Sequence, residues 1–361
     1  FTQYHANAVC SPTRASFHTG RTAFRVGVPS PVPRNEALPL SEKLLPQYLA
    51  NAGYQTWLVG KWHLGSISEA HLPHKRGYQH HYGFLGGAVD YYTHSMMNRL
   101  DWYRNGEAVE ETGYSTDLLA SEAISLIKKR DESKPFFLNL SFNAPHTPLQ
   151  APESFLANFA QVANVNRRTY LAMIQAMDAA IGKVYETLEE LGLAENTLFV
   201  FMSDNGAQTG MGGGSNTPLR GAKDGAFEGG MRVSAFVLWP GGLEGGWVFD
   251  RLFTVMDWLP TLAAAARFEI DPSIALDGFN MWPYVHDGNW VERGPTILGG
   301  GANRAVFSGD WKLVDTEGRR SLFRIAEDPN EEKDVAAQNA EVVERLAAVL
   351  RDHPVGTPDR M

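Results

Sequence analysis

The run Cys10-Ser11-Pro12-Thr13-Arg14-Ala15-Ser16-Phe17-His18-Thr19-Gly20-Arg21 carries the chain's single cysteine. Pro12 suits the first turn of a helix, where its missing N–H costs nothing. Arg14 then falls one turn after Cys10, so its guanidinium can lie beside the Cys10 side chain. A helix N-terminus joined to an arginine is an anion site. Taken alone, Cys-x-Pro-x-Arg reads as a buried free cysteine near a helix start, or as a low-pKa thiolate nucleophile.

Other polar clusters follow. Gly60-Lys61-Trp62-His63-Leu64-Gly65 sets a cation and an imidazole two residues apart. By itself it also describes a surface lysine and a packed histidine. Asn143-Ala144-Pro145-His146-Thr147-Pro148 holds His146 between two prolines that stiffen the backbone. Ser203-Asp204-Asn205-Gly206 offers two adjacent oxygen ligands, although Asp-Asn-Gly is also ordinary turn chemistry. Leu219-Arg220-Gly221-Ala222-Lys223 and Phe227-Glu228-Gly229-Gly230-Met231-Arg232 complete the set. Gly210 to Gly214 lacks the Gly-Lys-Ser/Thr ending of a phosphate loop and reads as a flexible active-site loop. The spacing of His71, His74, His80 and His81 matches no helical ligand pair.

The elements that must position these residues alternate. Ser41 can cap a helix that Gly53 ends, and an apolar strand, Gln55 to Val59, follows. Thr116 to Arg130 reads as a helix and Pro135 to Phe142 as a buried strand. The longest helix is expected at Arg168 to Leu191, with Tyr170, Met173, Ile174, Met177, Ile181, Val184 and Leu188 on one face. Thr197 to Ser203 and Arg232 to Trp239 read as strands. Helices alternating with apolar strands predict an α/β fold, a large mostly parallel sheet sandwiched by helices. Chemistry in such sheets gathers at the strand C-termini, and the polar clusters follow Val59, Phe142 and Met202. Residues 294–361 change character, with short alternating runs and a closing helix at Ala340 to Asp352. They predict a small C-terminal antiparallel sheet plus helix, set apart from a catalytic domain over 1–293.

Composition narrows the function. The 361 residues are 43% hydrophobic, enough for a large core. A net charge of −9 argues against general nucleic-acid binding. The apolar runs fall far short of the ~20 residues of a membrane helix. One cysteine permits neither an internal disulfide nor a two-cysteine redox pair.

The twelve-residue run from Cys10 resembles the signature of the type I, formylglycine-dependent sulfatases of the alkaline phosphatase-like superfamily. The later clusters match that family in order. Ser41 to Pro46, Lys75-Arg76-Gly77-Tyr78, Asp90-Tyr91-Tyr92-Thr93-His94 and Asp257 to Leu262 resemble its arylsulfatase B, or N-acetylgalactosamine-4-sulfatase, branch. His18 stands where the family usually has an apolar residue, a departure that reads as local packing variation.

The resemblance implies hydrolysis of sulfate monoesters on a sulfated sugar, such as a 4-sulfated galactosamine or galactose unit. Cys10 would be oxidised to formylglycine by a formylglycine-generating enzyme, and the hydrated aldehyde would be the nucleophile. Asp204 and Asn205, with position 10, would hold calcium, or magnesium as second choice. Asp204 would also be the base for attack. His146 and Lys223, with Lys61, would bind sulfate, the first two protonating the leaving sugar oxygen. His63 would take the proton from the second hydroxyl, and Arg14 with Lys61 would orient and stabilise position 10. Asp90, His94 and the Trp102 region are candidate sugar contacts. Such enzymes are usually periplasmic or secreted, or lysosomal in animals. No charged-then-apolar leader precedes Cys10, and no strand ending in the family's Asp-Asp pair does either. The expectation is therefore a chain that lacks its N-terminal strand and two metal ligands. A phosphonate or phosphate ester hydrolase of the same superfamily and a non-catalytic binder of sulfated glycans are the competing readings.

Overall fold

The computed structural model describes all residues, 1–361. Near the N-terminus, helix α1 spans Cys10–Thr19. It begins with Pro12 in its first turn and ends at Gly20, whose left-handed backbone (φ 65°) lets its N–H reach the Ser16 carbonyl. Strands β1 (Gln55–Gly60) and β2 (His80–Gly83) follow. Next come helix α2 (Ser115–Lys129), strand β3 (Phe136–Ser141), helix α3 (Val165–Glu190) and strand β4 (Phe199–Met202). Helix α3 begins three residues before the sequence-based start because the Asn164 side chain caps it, accepting the Arg167 N–H.

The expected α/β layering is present, but the sheet is divided. β1 pairs in parallel with both β2 and β3. Two short antiparallel strands, Tyr103–Arg104 and Glu107–Ala108, extend the β2 side to five strands. β4 pairs only with antiparallel β5 (Ala235–Leu238). The outer edges of β3 and β4 have no strand partner, and both strands are half-buried along their whole length. They border one cavity of about 1380 Å³. Ile174, Met177 and Ile181 of α3 line it from one side, and Leu262, Ala265 and Ala266 from the helix Trp258–Ala266 line it too.

The C-terminal sheet has four antiparallel strands, β6 (Thr296–Gly300), β7 (Asn303–Ser308), β8 (Trp311–Thr316) and β9 (Arg319–Arg324). Helix α4 (Ala340–Asp352) buries Leu346, Ala347 and Leu350 against one face. The other face joins the main body: Leu298, Ala305, Phe307, Val314 and Phe323 share a core with Tyr4, Phe253 and Trp258. No helix is long and apolar enough to cross a membrane.

Candidate active site

Three strand ends and the start of α1 converge at one mouth of the cavity. β1 ends at Gly60, where φ is 113° and a Cβ would lie 2.0 Å from the Ser141 carbonyl oxygen. Only glycine permits this close approach of β1 to β3. The Lys61 N–H then donates to the Ser141 carbonyl, and fully buried Trp62 anchors the next residue. His63 follows with φ of 54°, a strained conformation for a residue with a side chain. Its backbone carbonyl accepts the Ser11 hydroxyl at 2.8 Å, tying this segment to α1.

That tie sets the first pair of side chains. His63 Nδ1 lies 3.2 Å from Cys10 Sγ, and both side chains are buried. Burial, reinforced by the positive charges of Lys61 and Arg14, holds the His63 imidazole well below its usual pKa. It is therefore neutral at neutral pH and has a lone pair to offer. Burial also lowers the Lys61 pKa, with Cys10 and Asp204 opposing that shift.

The second pair joins the loop after β3 to the loop before Phe227. The His146 Nδ1–H donates to the Thr147 carbonyl at 2.7 Å, because a carbonyl only accepts. Nε2 is therefore the acceptor, and Lys223 Nζ meets it at 3.3 Å. Burial, then Lys61 and Lys223, pushes the His146 pKa down to about 4.

Beyond β4, the Asp204 carbonyl accepts the Thr13 hydroxyl at 2.6 Å, which fixes the turn against α1. The Asn205 Nδ2 donates to the Gly206 carbonyl, while Asn205 Oδ1 is buried and has no hydrogen-bond partner. Gly206 is required here, since a Cβ would sit 1.9 Å from the Gly229 carbonyl oxygen. An orphaned amide oxygen beside a carboxylate fits a hard cation in donor chemistry. No group of three or more His, Cys, Asp or Glu side chains is arranged to hold a metal.

Arg14, Lys61, His146, Asp204, Asn205 and Lys223 all line the cavity, with Cys10 and His63 buried behind them. Asp90 and His94, expected as sugar contacts, do not line this cavity. Asp90 folds its own turn, accepting the N–H groups of Tyr92 and Thr93 and the Gln150 amide. His94 is fully buried, stacked on Trp102, with Nε2 on the Gly113 carbonyl. Trp102 is likewise fully buried. The glycine run is also more anchored than expected: the Gly213 carbonyl accepts the Arg167 guanidinium, and that glycine packs on Asn166 and Tyr170.

Sequence reasoning missed Thr13, Asn139 and Ser141. The last two had a signal: two polar residues spaced by two on a strand that is otherwise apolar, hence on one face.

The family model described as Sulfatase matches residues 1–268. Mouse arylsulfatase J is 37% identical over 296 residues, covering 79% of this chain and 49% of its own length. Human N-acetylgalactosamine-6-sulfatase is 31% identical over 410 residues, covering 97% of this chain and 77% of that protein. The chain thus spans about half the length of the first of these relatives and about three quarters of the second. The crystal structure of Ps i-CgsB in complex with k-i-k-neocarrahexaose superposes with a TM-score of 0.91 at 32% identity, covering 97% of this chain and 83% of that one. With Arg14 of its Cys10 helix, Lys61, His146, Lys223 and the Asp-Asn turn gathered at one cavity, this chain belongs to the sulfatase family.

Proposed function

We propose that the protein hydrolyses sulfate monoesters of a sulfated sugar or polysaccharide. The observation that carries this reading is buried Cys10 at a helix start, 3.2 Å from neutral His63, on the helix whose Arg14 lines a cavity together with Lys61, Lys223 and His146. A sulfate monoester is an anion, and attack on sulfur moves charge onto its peripheral and leaving oxygens. One cation about 4 Å away contributes roughly 4 kcal/mol at an effective dielectric of about 20. Enzymes lower barriers by about 8–23 kcal/mol, so several cations must act together. Lys61, Lys223 and Arg14 supply three.

A formylglycine made from Cys10 by a formylglycine-generating enzyme would supply a hydrated aldehyde oxygen as nucleophile. A calcium ion, or magnesium as second choice, would add positive charge beside the sulfate, held by Asp204, Asn205 and position 10. The protein's own groups do the remaining work. His63 Nδ1, facing position 10, holds the proton released there. Lys223 Nζ donates toward His146 Nε2, which positions the ammonium and leaves its other N–H groups for the sulfate oxygens and for the proton destined for the leaving sugar oxygen. Lys61 and Arg14 orient position 10. The unpaired edges of β3 and β4 support a further proposal: a strand laid between them would fill the cavity at sheet level and complete the cation shell with carboxylates at its end.

The relatives named for N-acetylgalactosamine 6-sulfate and solved with a neocarrahexaose support a galactose-type sulfated unit as substrate, the 4-sulfate being the choice made from the sequence. An exported location, periplasmic, secreted or lysosomal, accords with such a substrate. Paired assays test the reading. Turnover of an aryl sulfate well above that of the matching aryl phosphate is expected, and the reverse order assigns the site to phosphate or phosphonate esters. Binding of sulfated oligosaccharide without turnover, by protein carrying formylglycine and saturated with calcium, assigns it to a binder.

A further inference from the structure

His18 lies one turn after Arg14 on α1 and is fully buried. Around it, five side chains and one carbonyl close a ring. Arg14 Nη1 lies 3.4 Å from Ser141 Oγ, which lies 2.9 Å from Asn139 Oδ1. Asn139 Nδ2 is 2.9 Å from the Tyr78 hydroxyl, which is 2.8 Å from His18 Nε2. His18 Nδ1 returns to the Arg14 carbonyl at 2.7 Å.

The two ends of this circuit determine every hydrogen in it. A guanidinium only donates and a carbonyl only accepts. His18 Nδ1 must therefore carry its proton, which leaves Nε2 as acceptor and Tyr78 as donor to it. The Tyr78 oxygen in turn accepts from the Asn139 amide nitrogen. At the other end, Ser141 accepts from Arg14 and passes its own hydrogen to Asn139 Oδ1. All the bonds run in one direction, and each group has a partner only if its neighbour has one. Such chains polarise one another and lose more than one bond when broken.

We infer that this ring is a positioning device for Arg14, in which His18, Tyr78, Asn139 and Ser141 fix the guanidinium against β3 where Arg14 lines the cavity with Lys61 and Asp204. None of the four touches the reacting atoms. The imidazole suits the task because it is held neutral. Burial, with the charges of Arg14 and Arg76, pushes its pKa down to about 3, so the tautomer persists across the physiological range. Burial raises the Tyr78 hydroxyl pKa, which keeps its donor hydrogen in place. The apolar residue that the sulfatase signature usually carries at position 18 could not close the circuit.

The ring itself stands apart from the proposed activity; only its effect on turnover rests on that reading. Nitrogen-15 NMR of the whole protein should show His18 as the neutral Nδ1–H tautomer at pH 7, and Arg14 with separate, slowly exchanging Nη resonances. In Tyr78→Phe the Arg14 resonances should average, while the fold is retained by circular dichroism. An Nε2–H tautomer, a protonated His18, or an Arg14 signal unchanged in Tyr78→Phe overturns the inference. With an aryl sulfate, Tyr78→Phe should lower kcat about tenfold with little change in KM, the order expected when a buried hydrogen-bonded group is left unpaired. The same change in an Arg14→Ala background should cost less than about twofold, because coupled residues are not additive. Equal losses in both backgrounds would make Tyr78 merely structural. A wild-type protein with no aryl sulfate turnover would count against the sulfatase reading, and the NMR result would still decide the ring.

Discussion

His146 and Lys223 show how much two side chains depend on a tautomer. The Thr147 carbonyl takes the Nδ1 proton, so only Nε2 is left to meet Lys223. Replacing Lys223 by alanine should reduce kcat for an aryl sulfate by about 10²–10³-fold, the usual cost of one preorganised donor to developing oxyanion charge, and His146→Ala should cost a comparable amount by releasing that donor. Steady-state kinetics checks this, and a loss below tenfold would remove the pair from the chemistry. The pH profile follows from the same environment. With His146 pushed down to about 4, the neutral form needed as acceptor persists through pH 6. The acid limb of kcat/KM, which reports the free enzyme, should therefore lie near pH 4 and not near the ~6.5 of an ordinary histidine. Cys10, Lys61, His63 and His146 could be singled out in the sequence because each sits in a short motif, at a helix start or just after a strand. The stretch around Asp90 and His94 was less legible, because a polar, aromatic run serves a tight turn and a buried stack as well as it serves a sugar. Ser141 and Asn139 escaped because their partners, Arg14 and Tyr78, are distant in sequence.

Strand β1 was readable from its apolar run and the start of helix α1 from Pro12, but the close contact that aligns β1 with β3 was not. Gly60 occupies a left-handed conformation against the Ser141 carbonyl. Gly60→Ala should destabilise the protein by at least about 1–3 kcal/mol and displace Lys61, so both the unfolding midpoint and kcat should fall. A second element-level device joins the C-terminal sheet to the site. Lys312 on β8 is fully buried between Glu228 and Glu331, with Nζ at 2.8 and 2.7 Å, and His5 also holds Glu228. Through Glu228, whose pKa these cations lower despite burial, the ion cluster fixes the segment that follows Lys223. Lys312→Met leaves two buried carboxylates facing one another and should cost about 3–5 kcal/mol, measured by urea unfolding. Composition gave no sign of this cluster, because Lys312 reads as an exposed residue of an alternating strand.

Over the whole molecule, the sequence supplied the α/β class and the C-terminal sheet with its helix, both of which depend on local periodicity. It did not supply how the sheet is divided, since strand partners are fixed by long-range register. Nor did it show that residues 294–361 share a core with Tyr4, Phe253 and Trp258. A chain ending at residue 293 should therefore aggregate or remain unfolded, as judged by gel filtration and near-ultraviolet dichroism; a stable, monodisperse 1–293 fragment would show an independent C-terminal unit. All of the proposed chemistry meets at position 10. The most direct measurement is kcat/KM for an aryl sulfate with Cys10→Ala beside the parent protein, both produced together with a formylglycine-generating enzyme and assayed in calcium. Turnover by the parent and none above background by the variant is the expected result. Sulfate release by the alanine variant at a rate near that of the parent would contradict the account.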